Sequence, residues 1–246
     1  MNYELNIWGV VLLVVLTVAA GALFWVTDRR TLRLVLRTGG LMMVQLLFVG
    51  GYVWGLMQLG RWWVDVVWLV LMALVTAQFV EYPKAAPHVV RLARRSAFLA
   101  ILLGSGVMAG VLMLCFRGHW FVPVVGLLMG QLLVATSYLL KANDSSLRHT
   151  VEHRHFLLAN GGTRLEVLLP TIRRALLASL VPLMKRWASP LVVAMPVLFC
   201  GLLMGGMPVG MALVVTLLLA LATFVATVIT GVAALWLLNV LPTGKS

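Results

Sequence analysis

The sequence contains few charged residues for its length. Charged side chains make up 11% of the 246 residues, and hydrophobic side chains make up 62%. A soluble domain carries roughly 25% charged residues, so this chain could not cover itself with a polar surface. Its mean hydropathy of +1.05 agrees with that conclusion. The length allows about seven membrane spans of about 20 residues each, which leaves no room for a second, soluble domain.

Cysteine is also scarce, and the charged residues are concentrated between the apolar stretches. The two cysteines, Cys115 and Cys200, lie inside apolar stretches and neither has a CxxC partner, so they are interpreted as small hydrophobic side chains. The formal net charge of +12 comes from residues between apolar runs. Membrane topology therefore explains this charge better than nucleic-acid binding does, and we expect no nucleic-acid partner.

Seven apolar stretches are long enough to cross a bilayer. Only helices are expected, because a backbone exposed to lipid must satisfy its own hydrogen bonds. We therefore predict an all-α, polytopic transmembrane helix bundle that forms a single domain over residues 1–246. The predicted spans are Ile7–Thr27, Thr38–Leu59, Trp62–Val80, Phe98–Phe116, Phe121–Leu140, Pro190–Met207 and Val209–Leu238.

The distribution of Lys and Arg predicts the orientation. With the N-terminus outside and the C-terminus in the cytoplasm, every Lys and Arg except Arg61 and Arg117 falls on the cytoplasmic side. This arrangement obeys the positive-inside rule. We expect a multi-pass protein of the cell (inner) membrane, with the lipid bilayer as its surroundings.

A segment of the chain at about 141–189 stands apart, because it is neither a span nor a short loop. In it, Asn160-Gly161-Gly162-Thr163 predicts a turn between two helices, with Asn and Gly suited to the left-handed conformation of a helix end. Thr163 and Glu166 have the spacing of a capping box for the second helix. The segment is interpreted either as a surface loop on anionic lipid headgroups or as an elbow that docks onto a soluble partner.

Two short motifs suggest chemistry that the rest of the sequence does not support. His149, Glu152 and His153 match the H-x-x-E-H pattern of zinc proteases, which makes an intramembrane zinc hydrolase the enzymatic alternative. The pattern lacks a plausible third ligand other than Glu166, so we predict no metal site and no enzyme activity in this chain. The final Gly244-Lys245-Ser246 is the end of a P-loop pattern, but Asn239 occupies the position of its first glycine. If ATP drives this protein, another polypeptide supplies the ATPase.

Seven prolines and glycines occur at spacings that match those of a known protein family. They are Pro123, Gly126, Gly130, Gly161, Pro182, Pro196 and Gly201, with a looser match at Gln45 and Gly50. From Pro123 to Gly201 the chain resembles the permease subunit of the Fet-type iron-export ABC transporters, a family that also includes plant aluminium-tolerance permeases.

The resemblance implies a role for the elbow. It implies that the helix at about Leu157–Leu168 is a coupling helix that sits in a groove of a separate ABC ATPase, which binds ATP and magnesium. The working unit would contain two permeases and two ATPases, with either identical or related permease chains. The residues assigned to this contact are Leu157, Asn160, Gly161, Gly162, Thr163, Arg164 and Glu166.

The expected substrate is a metal ion or a small apolar molecule, and the expected direction is export. The resemblance implies the metal ion. The family's Leu-Pro-Gly-Met-Met motif is Met195-Pro196-Val197-Leu198-Phe199 here, and these apolar replacements suit an apolar molecule better. A membrane scaffold subunit that transports nothing is the alternative. The predicted pathway residues are Gln45, Gln131, Ser137, Met195, Pro196 and Gly201.

Overall fold

A computed structural model describes residues 7–8, 11–12, 14–19, 29–59, 61–83, 87–115, 121–149, 159–161, 164–188 and 197–239. Within these ranges the regular structure is helical and contains no strand, which confirms the predicted all-α fold. The helices are α1 (Arg29–Leu59), α2 (Trp62–Phe79), α3 (Pro87–Cys115), α4 (Phe121–His149), α5 (Arg164–Ala188), α6 (Val197–Met204) and α7 (Val209–Asn239).

Six of the described helices are long and apolar enough to cross a membrane: α1, α2, α3, α4, α5 and α7. The described residues of the first predicted span, Ile7–Thr27, are also helical. The chain is therefore a multi-pass membrane protein of about the predicted number of spans.

The chain divides into two compact units, Met1–Gln58 and Leu59–Ser246. In the first unit, none of the α1 residues from Arg33 to Leu56 is buried. The second unit, which we call the bundle, contains α2 to α7 and the buried core. Because α7 finishes at Asn239, we call that end of the bundle the Asn239 end.

Helices α3 and α7 pack closely because small residues line their contact. Gly104 of α3 faces Ala226 and Thr230 of α7, and all three are buried. A Cβ atom built on Gly104 would lie 2.9 Å from the Ala226 carbonyl oxygen and 3.2 Å from the Thr230 Cβ. Small residues let membrane helices approach in this way, so that van der Waals packing can hold them together.

Two helices extend beyond the predicted spans. Helix α3 begins at Pro87 rather than near Phe98, with proline at its first position, where no backbone N–H is needed. Helix α4 continues past Leu140 to His149. Arg148 and His149 lie in its last turn, where the helix dipole favours positive charge.

Helix α5 lies within the segment predicted to be cytoplasmic. Its residues Glu166–Lys185 are apolar enough to cross a membrane, and it packs against α4 and α7. Its inner face is buried at Leu168, Thr171, Ala175 and Ser179. The cytoplasmic location of residues 141–189 remains a prediction. The structure shows that α5, which lies within this segment, packs against the other helices of the bundle.

The described part of the predicted span Pro190–Met207 is the short helix α6, which has 8 residues. At about 1.5 Å per residue this helix is roughly 12 Å long, less than the thickness of the hydrocarbon layer. It ends in a Schellman turn, in which Gly206 has a φ of 83° and Met207 N–H donates to the Leu202 carbonyl at 3.1 Å. This turn leads through Pro208 into α7.

We predict that Gly104→Ala destabilises the bundle. The added methyl group meets the backbone of α7 and the Thr230 side chain, so the helices must separate, and overpacking of this kind costs about 1–3 kcal/mol. Unfolding of the purified protein in detergent would measure the loss.

Gly110→Ala is the matched control, because Gly110 lies on the same helix and has no atom within 4 Å of an added Cβ. Equal stability of the two variants would contradict the proposed close contact between α3 and α7.

Candidate functional site

The described part of the elbow has the conformation that its sequence predicts. Asn160 and Gly161 form a turn, and Gly161 has a φ of 79°, a left-handed conformation that favours glycine. Helix α5 begins at Arg164, and Glu166 lies exposed in its first turn. Leu157, Gly162 and Thr163 lie outside the described residues, so the capping box remains a prediction.

Just before the elbow, α4 is attached to the connection between α2 and α3. Lys141 of α4 forms an ion pair with Glu81. The Glu81 backbone N–H donates to Ser137 Oγ at 3.1 Å, and Ser137 Oγ donates to the Leu133 carbonyl at 2.8 Å. Ser137, predicted as a pathway residue, is therefore placed where it holds this connection.

Neighbouring charges and burial shift the pKa values of two residues at this attachment, Glu81 and Tyr82. The hydrogen bond and positive charge of Lys141 hold the pKa of the Glu81 carboxyl below its usual value. Burial raises the pKa of Tyr82 to about 12, although the nearby Arg94 opposes this shift. The neutral Tyr82 hydroxyl donates to the Ala77 carbonyl at 2.5 Å, and the Arg94 guanidinium lies 5.6 Å from the centre of the Tyr82 ring.

The same part of α4 also contacts α7 and α5. Asn143, which is 2% exposed, accepts a hydrogen bond from the side-chain amide of Asn239 at 3.3 Å. Ser146 Oγ donates to Thr171 Oγ1 of α5 at 3.5 Å. The Asn239 end of α4 is thus bonded to the α2–α3 connection, to α5 and to the end of α7.

Deeper in the bundle, hydroxyl groups line the contact between α4, α5 and α7. Thr136 of α4, Ser179 of α5, and Thr227 and Thr230 of α7 surround one small cleft, beside Gly231. Among the described residues, Thr136 Oγ1 and Thr230 Oγ1 are buried without a hydrogen-bond partner. We call these four residues the hydroxyl seam.

Four threonines form a stripe along α7, and the hydroxyl seam shows what part of this stripe contacts. Thr216, Thr223, Thr227 and Thr230 share one face of α7, as their spacing indicates, and that pattern is typical of either a helix–helix contact or a dimer interface. Thr223, Thr227 and Thr230 are buried inside this chain. Thr223, Thr227 and Thr230 therefore pack against other helices of this chain. The participation of Ser179 in this contact could not be predicted from spacing.

The remaining predicted pathway residues that the structure describes lie on three different helices. Gln131 is half-buried on α4. Gly201 is exposed on α6, and its carbonyl accepts the Gly205 N–H at 2.9 Å. Gln45 is exposed on α1, in the other unit. Met195 and Pro196 lie outside the described residues, and the pathway assignment as a whole stays a prediction.

Metal-binding side chains do not cluster in the described part of the chain. There, no three His, Cys, Asp or Glu residues come close enough to hold a metal ion. His149 is the exposed last residue of α4, whereas Glu152 and His153 lie outside the described residues.

We predict that the ion pair makes stability depend on pH in one direction. Because the folded-state pKa of Glu81 is below the unfolded value of 4.5, its stabilising contribution is present above that value and is lost as pH falls through the lowered pKa. The melting temperature in detergent should therefore fall on acidification, and Glu81→Gln should make this fall smaller.

Asp144→Asn is the control, because Asp144 pairs with Arg148 inside α4 at 2.9 Å and joins no second element. An acid-induced fall that is unchanged in Glu81→Gln would show that the ion pair does not attach the α2–α3 connection to α4.

Comparison with known proteins supports the family expectation. Residues 7–240 match the family described as "Uncharacterised protein family (UPF0014)". A stretch of 145 residues is 26% identical to Protein ALUMINUM SENSITIVE 3 of Arabidopsis thaliana, and the match covers 56% of this chain and 53% of that protein. The chain thus spans about half the length of the curated relative it matches. No solved structure matches.

Proposed function

The chain belongs to the UPF0014 family, and on that premise we propose that it is the membrane-spanning subunit of an ATP-driven exporter. A separate ABC ATPase would bind ATP and magnesium, and two copies of each chain would form the working unit in the cell membrane. The elbow at Asn160-Gly161 would be the contact with the ATPase. The resemblance to Fet-type permeases supports a metal-ion substrate, and the exposed Val197 of α6 supports a small apolar one.

The observation that carries this proposal is the elbow together with its attachments. The turn at Gly161 lies shortly before α5, and α5 packs against α4 inside the bundle. The end of α4 is also bonded to Glu81 and to Asn239. A force applied at the elbow therefore reaches the α2–α3 connection and the end of α7 through direct contacts.

This arrangement suits coupling better than a passive surface loop. A loop lying on lipid headgroups would need only basic residues, whereas here Ser146 bonds to Thr171 across the two helices that flank the elbow. Nucleotide binding by the ATPase would move α4 and α5 at this end of the bundle. Access to the pathway would then change as the helices shift against each other.

We predict that Gly161→Val lowers coupled ATP turnover. A β-branched residue at a φ of 79° is strained, by about 1–2 kcal/mol relative to glycine, so the turn must change its shape. The chain would be co-purified with an ABC ATPase from the same genome, and ATP hydrolysis would be measured in proteoliposomes.

Gly161→Asn is the matched variant, because asparagine tolerates the left-handed conformation, and it should retain most of the turnover. Normal turnover in Gly161→Val, with a folded and monodisperse complex, would contradict the coupling role. A stable complex that hydrolyses ATP without moving any substrate would favour the scaffold alternative.

A further inference from the structure

Helix α5 runs antiparallel to both α4 and α7, so its residues can be assigned a depth in the bundle. At its first half, Thr171 lies beside Ser146 of α4. Further along, Ser179 lies beside Thr136 and Thr227 in the hydroxyl seam. Near its end, the rings of Trp187 and Phe224 are 5.7 Å apart. The helix therefore runs from the Asn239 end toward the middle of the bundle.

We place the end of α5 close to the middle of the membrane, which departs from the cytoplasmic location predicted for residues 141–189. Phe224 is the central residue of α7, a helix of 31 residues that carries no Asp, Glu, Lys or Arg. At about 1.5 Å per residue, roughly 23 Å separate Phe224 from either end of that helix. The hydrocarbon layer is about 30 Å thick, so Trp187, which contacts Phe224, lies near its centre.

Lys185 lies two residues before Trp187 and is exposed on the bundle. Its exposed face also includes Val181 and Met184, whereas Ser179 is buried on the inner face. To the described residues, the Lys185 ammonium makes no ion pair or hydrogen bond. A charged side chain is therefore presented outward at a depth where α7 carries only uncharged residues.

A lysine at this position would be costly in lipid. A charge at the centre of a bilayer is unfavourable, and such residues usually face a bundle interior or a water-filled cavity. Lysines near helix ends avoid the cost by extending to the interface. From Lys185 the interface is too distant for its four-carbon side chain, because the ring of Trp187 packs against the centre of α7.

Lys185 lies at the C-terminal end of α5. The helix finishes at Ala188, so Lys185 lies in its last turn, where the carbonyl ends of the helix dipole stabilise a cation. A lysine side chain exposed at this depth requires water or an anion beside it.

We propose that the face of α5 bearing Val181, Met184 and Lys185 lines a water-filled transport pathway, and that Lys185 binds an anionic group of the substrate. This inference rests on the proposed transport function and narrows its substrate class. The ammonium repels a bare metal cation and attracts a negatively charged molecule. A metal ion would use this route only inside a complex of net negative charge.

Cysteine labelling tests both parts of the inference. Val181→Cys is made in a background in which Cys115 and Cys200 are replaced by serine, and the protein is reconstituted in liposomes. Two membrane-impermeant methanethiosulfonates are compared, the anionic sulfonatoethyl and the cationic trimethylammonioethyl reagent, each added to both sides. Reaction requires a thiolate in contact with water.

Two variants provide the controls for water access. Arg174→Cys lies on the exposed face of α5, near the elbow, and should react with both reagents. Val107→Cys lies on the exposed face of α3, one turn beyond Gly104, which contacts the middle region of α7. It should be protected by lipid. We expect Val181→Cys to react at a rate close to that of Arg174→Cys.

Replacement of Lys185 tests the charge. Val181 lies one turn from Lys185, at roughly 6 Å, where a unit charge in water changes the ratio of the anionic to the cationic rate on the order of tenfold. Lys185→Met in the Val181→Cys background should remove that preference, and Lys185→Arg should keep it. If the methionine variant does not accumulate, Lys185→Gln makes the same comparison.

Two results would overturn the inference. Protection of Val181→Cys equal to that of Val107→Cys would show that the face lies in lipid or is covered by protein. A rate ratio that Lys185→Met leaves unchanged would exclude a role for the lysine charge. The labelling experiment needs no ATPase. If the chain does not couple to an ATPase but Val181→Cys still reacts, the proposed function fails while water access along α5 is established.

Discussion

The attachments at the Asn239 end of α4 are the interactions on which the rest of the bundle depends. In hydrocarbon, apolar helices gain little from contact with each other beyond packing, because lipid tails are equally apolar. Polar contacts at the helix ends therefore determine which elements move together. Lys141 holds Glu81, Asn143 holds Asn239, and Ser146 contacts Thr171. These bonds join α4 to three other parts of the bundle.

The interior of the bundle contains a different kind of contact. In the hydroxyl seam, small and hydroxyl-bearing residues of α4, α5 and α7 meet without bonds between the helices at Thr136 and Thr230. Near the elbow α5 bonds to α4 through Ser146 and Thr171, and near Lys185 it contacts α7 through Trp187 and Phe224.

The sequence predicted the helical fold, most spans and the glycine turn at the elbow, because hydropathy and local backbone preference depend on neighbouring residues only. It did not predict α5 as a part of the bundle. Arg173, Arg174 and Lys185 lower the hydropathy of that helix, and counting Lys and Arg assigned the entire segment to the cytoplasm. The small residues Ala175 and Ser179, at helical spacing on the buried face, were the available signal for packing.

The partners of individual side chains could not be predicted from one sequence. Ser137 was assigned to the pathway because polar groups are rare in spans, and its bond to the Glu81 backbone could not be predicted. Similarly, the threonine stripe was compatible with two kinds of interface until Thr227 and Thr230 were found beside Ser179. Pairings between distant residues depend on how helices are arranged, and hydropathy contains no information about that arrangement.

Hydrogen–deuterium exchange of the complex with the proposed ATPase would test the central claim most directly. The claim is that the Asn239 end of α4 transmits movement from the elbow to the α2–α3 connection and to the end of α7. Exchange would be compared with and without a non-hydrolysable ATP analogue. The account predicts altered exchange at Val80–Tyr82 and near Asn239 as well as at Asn160-Gly161. A change confined to the elbow would contradict it.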